Sequence, residues 1–212
     1  MRDSLRCVAI KHYFPTSLYQ APLSSRDATD FNARLLRQCR QIAADDTAGR
    51  TWSARNYPNG YTSYGSQHRL HQWVPAFEEF ERRVRKHVRA LVRSLEIDTA
   101  ERELAMTDCW VNIMRRHCVH GLHLHPHSVV SGTYYVQVPR GSPGIKFEDP
   151  RLDRYMAALP RKASCRVENR WWVTLPAREG RVVLFESWLR HEVPPHIASG
   201  ERVSISFNYG WL

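Results

Sequence analysis

The sequence predicts a mainly β protein with flanking helices. Three observations lead to that class. Two stripes of apolar residues at helical spacing occupy the first half. From Cys109 onward the chain turns into short runs rich in Val, Ile, Tyr, Phe and Trp, and Pro and Gly separate those runs. Such a second half is most simply a small barrel or jelly roll, with the two helices packed outside it.

Residues 6 to 11 read as a short strand followed by a Pro/Ser loop. Asp27 is placed as an N-cap, and from it Phe31, Leu35, Cys39 and Ile42 recur on one helical face. Residues 52 to 73, "WSARNYPNGYTSYGSQHRLHQW", carry Gly, Asn, Ser, Tyr and Trp without periodicity and read as an irregular loop covering a site. Pro75 opens a second helix in which Phe77, Phe80, Val84, Val88, Leu91 and Leu95 form the buried stripe. "CWVNIM", "SGTYYVQV", "RWWVTL", "RVVLF" and "RVSISFNY" are the strands of the remainder. No internal repeat or low-complexity tract interrupts them.

A chain of 212 residues with 42% hydrophobic residues can bury one sizeable core, so a single domain over 1–212 is expected. Within it, residues 1–105 supply helices and a loop packed on a β core at 106–212. The N-terminal "MRDSLRCVAIKHYF" has no long apolar run, which points to a soluble, cytoplasmic protein without a membrane partner. Cys7, Cys39, Cys109, Cys118 and Cys165 are odd in number and form no C-x-x-C pair, so they read as reduced thiols. The net charge is +10, and all 31 basic residues except Lys11, Lys86, Lys146 and Lys162 are arginines. They are dispersed, with local density in "ERRVRKHVRALVR", which reads as the solvated face of a helix. No basic zipper, C2H2 finger or RNA-recognition strand accompanies them, so nucleic acid is not the expected partner.

Chemistry concentrates in "HCVHGLHLHPHSVV" at 117–130, which holds five of the eleven histidines. In an extended chain residues two apart share a face, so His123 and His125 can project together toward one ion. Imidazole suits zinc, iron, copper or nickel, and catalytic sites use three protein ligands and leave positions open. His191, directly after "RVVLF", is the candidate third ligand, with His127 in reserve; His117 and His120 have no such geometric claim. In the last strand Arg202, Ser204, Ser206 and Asn208 alternate with Val203, Ile205 and Phe207. Its polar face either meets solvent or lines a site, and Arg202 offers a planar fork suited to a carboxylate.

These residues resemble the Fe(II)/2-oxoglutarate-dependent dioxygenases, whose site pattern is a His-x pair, a distal His and an Arg-x-Ser about ten residues later. The resemblance narrows to a bacterial and phage group of uncharacterised 2OG-Fe(II) oxygenases through "HLHPHSVVSGTYYV", "FEDPR", "SWLRHEVPP" and "RVSISFN". It implies a double-stranded β-helix, a cupin-like jelly roll, holding Fe(II) at one open end and using 2-oxoglutarate as co-substrate to oxidise a small molecule or peptide. By position it makes His123 and His191 metal ligands, and Arg202 and Ser204 the holders of the distal carboxylate of 2-oxoglutarate. His125 stands where the pattern has a carboxylate; either it ligates, leaving the ferrous site one unit more positive, or water fills the position. Tyr134, Tyr135, Ser131 and Asn112 are candidate co-substrate or supporting contacts, Tyr134 foremost.

Two other functions fit the same histidines. One is a three-histidine cupin-like iron dioxygenase that needs no keto acid, which would give Arg202 no task. The other is a non-catalytic metal-binding β-barrel, in which His127 would close the site as a fourth ligand. Asp149 and Arg151 of "FEDPR" read as a local ion pair, and Trp110, Trp171, Trp172 and Trp188 as core or rim packing.

Overall fold

The computed structural model describes residues 10–23, 27–100 and 102–211. Ten strands form two antiparallel sheets. They are β1 (Tyr19–Pro22), β2 (Gly60–Thr62), β3 (Leu104–Met114), β4 (His120–His123), β5 (Val130–Gln137), β6 (Ile145–Glu148), β7 (Trp172–Leu175), β8 (Arg181–Glu186), β9 (His191–Val193) and β10 (Arg202–Trp211). The major sheet runs β1-β8-β5-β10-β3-β2 and the minor sheet β4-β9-β6-β7, the two halves of a jelly roll. Three helices precede most of them: α1 (Ala28–Asp45), α2 (Thr47–Asn56) and α3 (Pro75–Ser94).

The alternation in β10 builds both layers. Val203, Ile205, Phe207 and Tyr209 face a core shared with Phe31, Leu35, Cys39 and Ile42 of α1 and with Phe77, Phe80, Val84, Val88 and Leu91 of α3. Both helical stripes are therefore buried as the periodicity predicts, except that α3 ends at Ser94 and Leu95, just past it, is only partly buried. Between the sheets a second apolar cluster, Tyr135, Ile145, Phe147, Val183, Phe185 and Leu189, holds the layers apart. The odd and even faces of β10 thus divide cleanly into an apolar outer layer and a polar inner one. The basic segment of α3 behaves as read: Arg82, Arg85, Lys86, Arg89 and Arg93 are exposed beside the buried Val84, Val88 and Leu91.

Close packing in the outer layer is sharpest at Gly132 on β5. A Cβ there would fall well inside van der Waals contact of the Phe207 ring and of Leu184. Gly132→Ala is expected to destabilise the fold by about 1–3 kcal/mol, because the rings cannot retreat from a filled core. Urea unfolding checks this, and an unchanged midpoint would mean that the layer is looser than its packing indicates.

Some expectations are corrected. Residues 52–73 are not one irregular loop: α2 runs to Asn56 and β2 pairs with β3 through Tyr61 opposite Ile113. Asp27 precedes α1 with φ +50° and makes no side-chain cap; its carboxylate instead pairs with Arg83, 2.6 Å away. The strand read at residues 6–11 and Cys7 lie largely outside the described residues, and Ile10 and Lys11 are in no strand. Cys39, Cys109, Cys118 and Cys165 are free thiols. Among the described residues no helix is long and apolar enough to cross a membrane.

Candidate metal centre

Strand β4 lies at the edge of the minor sheet, where His123 faces His191 of β9 across the ladder. His125 follows two residues after β4 ends, and its backbone N–H donates to Ser187 O at 3.0 Å. The ligand nitrogens of His123, His125 and His191 all fall within 4.8 Å of one another. His191 is buried, while His123 and His125 are partly exposed.

Hydrogen bonds fix which nitrogen each ring offers. Nδ1 of His123 donates to Gly121 O at 2.8 Å and Nδ1 of His191 to Leu189 O at 2.9 Å. A carbonyl can only accept, so these rings carry their proton on Nδ1. Nδ1 of His125 donates to Asn208 Oδ1 at 2.6 Å, and that oxygen also accepts from Ser131 at 2.8 Å. All three Nε2 lone pairs are left to converge. Those of His123 and His125 stand 3.2 Å apart. Two such nitrogens each about 2.1 Å from one ion, at right angles, would be separated by about 3 Å. The set therefore fits a divalent cation bound on one face, with its remaining positions open, and the orienting hydrogen bonds are of the kind that hold metal-ligating imidazoles.

Burial keeps these rings neutral. It lowers the pKa of His191 to about 2 and of His125 to about 4, each reinforced by the neighbouring His123, and lowers that of His123 too. His120, which stacks on His123 at 4.5 Å, is lowered to about 3 by burial and the same neighbour. An unfolded chain protonates histidines near 6.5, so below that pH the unfolded state binds more protons than the folded one. Stability of the metal-free protein is thus expected to fall as pH drops from about 6.5 toward 4. The slope should be at least one proton, about 1.4 kcal/mol per pH unit. Urea titrations at pH 7.5, 6 and 5 check it; a flat profile would mean that these rings ionise freely in the fold.

Beyond the triad an inner cavity reaches between the sheets to Arg202, Ser204 and Asn112. Arg202 is 2% exposed. Its Nη1 finds only Met114 Sδ and Ser204 Oγ, each at 3.4 Å, and its Nε has no partner. No carboxylate pairs with it among the described residues. The guanidinium instead lies over the Tyr135 ring, 5.0 Å from its centroid, and the Tyr135 hydroxyl is also unpartnered. Asn112 shares this cavity and donates to Ser206 at 3.0 Å.

Tyr134 is a correction. Its ring belongs to the outer core against Phe80, and its hydroxyl donates to Asn32 Oδ1 at 2.9 Å on α1. It lies on the opposite side of β5 from Ser131 and Tyr135, so it cannot reach the cavity. His127 is likewise outside the cluster: its φ of +65° breaks the alternation after Pro126, and it is exposed. Two participants carry no assigned role in the sequence reading. Asn208 orients His125, and His120 reaches the triad because the pairing of β4 with β9 is irregular between His120 and His123. Asp149 does pair with Arg151, at 2.9 Å, and also with Arg154. Trp110 stands 5.9 Å from the His125 ring, at the cavity rather than in the core.

Residues 108–208 match a family described as "Putative 2OG-Fe(II) oxygenase". No curated protein matches the chain. Among solved structures, HygX from Streptomyces hygroscopicus with nickel, 2-oxoglutarate and hygromycin B bound is similar, at 17% identity and a TM-score of 0.59, over 92% of this chain and 83% of that one. A prolyl-4-hydroxylase from Pseudomonas putida is similar at 15% identity and a TM-score of 0.62, over 92% of each chain. AviO1 from Streptomyces viridochromogenes Tue57 is similar at 14% identity and a TM-score of 0.60, over 92% and 90%. At these identities the likenesses establish a shared fold.

Proposed function

Residues 108–208 belong to the 2OG-Fe(II) oxygenase family, which makes the protein an Fe(II)- and 2-oxoglutarate-dependent oxidoreductase, and from that premise we propose how its own residues divide the work. His123, His125 and His191 hold the metal through Nε2, with a histidine in the position where the family pattern has a carboxylate. Arg202 and Ser204 hold the distal carboxylate of 2-oxoglutarate, and Tyr135 replaces Tyr134 as the tyrosine beside it. The reaction is hydroxylation: a substrate C–H becomes C–OH with one oxygen atom of O2, the other enters succinate, and CO2 leaves. When bound, the iron supplies the redox chemistry that couples these changes.

The observation that carries the co-substrate assignment is the buried Arg202 guanidinium, which no carboxylate pairs with among the described residues. A cation held out of water without a counter-ion is costly, and a dianionic keto acid supplies the missing charge at the end remote from the metal. Orientation falls to the fork of Arg202, while the apolar rings of Phe185 and Trp110 exclude water around the triad. The keto-acid-independent reading leaves Arg202 without a partner. The non-catalytic reading needs His127 as a closing ligand, and His127 stands outside the cluster. The substrate is a small molecule or peptide, a reading supported by similarity to the hygromycin B-bound HygX structure and to a prolyl hydroxylase.

Anaerobic titration with Fe(II) and then 2-oxoglutarate tests this. A weak visible metal-to-ligand charge-transfer band is expected only after the second addition. Iron binding with no band at saturating keto acid would overturn the co-substrate assignment.

A further inference from the structure

A second cleft, of about 580 Å³, shares His120, His123 and His125 with the inner cavity but is not lined by Arg202. Its walls are Trp52 of α2, Tyr57, Tyr64, Trp110, Val119 and Leu124. Trp52 and Tyr64 are 44% and 52% exposed, a large apolar area left at the mouth, and Tyr64 packs on Trp110 at 4.8 Å. A quarter of the chain is charged, yet no Asp, Glu, Lys or Arg lines this cleft. Arg202, a buried cation, lines the inner cavity and not this cleft.

We propose that the substrate of this oxygenase is a small molecule that presents an uncharged, ring-bearing group to the metal, held against Trp52, Tyr64 and Trp110. The proposal rests on the metal and co-substrate assignment above. Two arguments weigh against charge at the reacting end, and a third favours a neutral ring. An anion would find no cationic side chain in the cleft to hold it, and the positive centres within its reach, the metal and Arg202, are those 2-oxoglutarate occupies. A cation would meet the aromatic faces but no acid, and beside three neutral ligands the metal keeps a net positive charge even with 2-oxoglutarate bound. A neutral ring loses little on leaving water and gains contact area on several aromatic faces at once. Asn56, Thr62 and Asn208 on the same walls supply uncharged hydrogen-bonding groups, enough to orient such a ring without requiring a charge on it.

Three probes with one ring and different charge decide the matter: tryptophol, tryptamine and indole-3-acetate. Each is titrated by saturation-transfer NMR into the Zn(II)-loaded protein with 2-oxoglutarate present. Tryptophol is expected to bind at least about tenfold more tightly than either charged analogue, reflecting the cost of an unpaired buried charge. Trp52→Ala and Tyr64→Ala should each weaken it. Equal or tighter binding of a charged probe, no binding of any probe, or tryptophol binding indifferent to both substitutions would overturn the proposal. Failure of the charge-transfer band would instead sink the co-substrate assignment, so the two outcomes are separable.

Discussion

Replacing His191 with alanine is expected to abolish iron binding by the folded protein, and His123→Ala to do the same. Each removes one of three converging Nε2 atoms whose rings are already locked by a carbonyl acceptor. Four-ligand zinc sites bind with about 10–16 kcal/mol, so one ligand is worth roughly 3 kcal/mol or more, a factor of at least a hundred. Loss of one of only three ligands also opens the ion to water. His127→Ala is the control, because that exposed ring lies outside the cluster. Elemental analysis after anaerobic loading reads all three variants, with circular dichroism to verify folding. Normal iron in either triad variant, or its loss from His127→Ala, would overturn the ligand assignment.

Arg202→Ala is expected to leave iron in place and to weaken 2-oxoglutarate binding by roughly 2–5 kcal/mol, since it removes one partner of a desolvated charge pair. Arg202→Lys should recover part of that, because an ammonium lacks the planar fork. Ser204→Ala should cost about 1 kcal/mol, the value of one hydrogen bond. The concentration dependence of succinate release in slow turnover without substrate measures all three. Identical curves for the parent protein and Arg202→Ala would remove 2-oxoglutarate from this cavity.

The sequence made the long elements legible and the short ones not. Phe31 to Ile42 and Phe77 to Leu91 repeat often enough to define a buried face, and β10 alternates over its whole inner half. Strands β2, β4, β6 and β9, of three or four residues each, are too short for any period to emerge. The site divides the same way. His123, His125, His191, Arg202 and Ser204 come together because their spacing survives in the fold. Tyr134 and Tyr135 could not be told apart by burial, since β5 is buried on both faces from Val130 to Val136, and the weaker signal, Ser131 and Thr133 on Tyr135's face, went unused. Pairing with β10 settles it, by setting Tyr135 opposite Ser204. His120 was missed for a related reason. In regular extended chain it points away from His123, and only the irregular register of β4 restores it to the same side.

That irregularity also bears on what an ion does for the edge of the sheet. Strand β4 is joined to β9 by only two registered pairs, His120 with Val193 and His123 with His191, and nothing flanks it on its other side within the sheet. An ion shared by His123 and His191 is a stitch across that seam, stronger than the few backbone bonds it supplements. The cleft over His120, His123 and His125 already leads to the centre, so such a stitch would tie β4 to the sheet without the sheet having to part first.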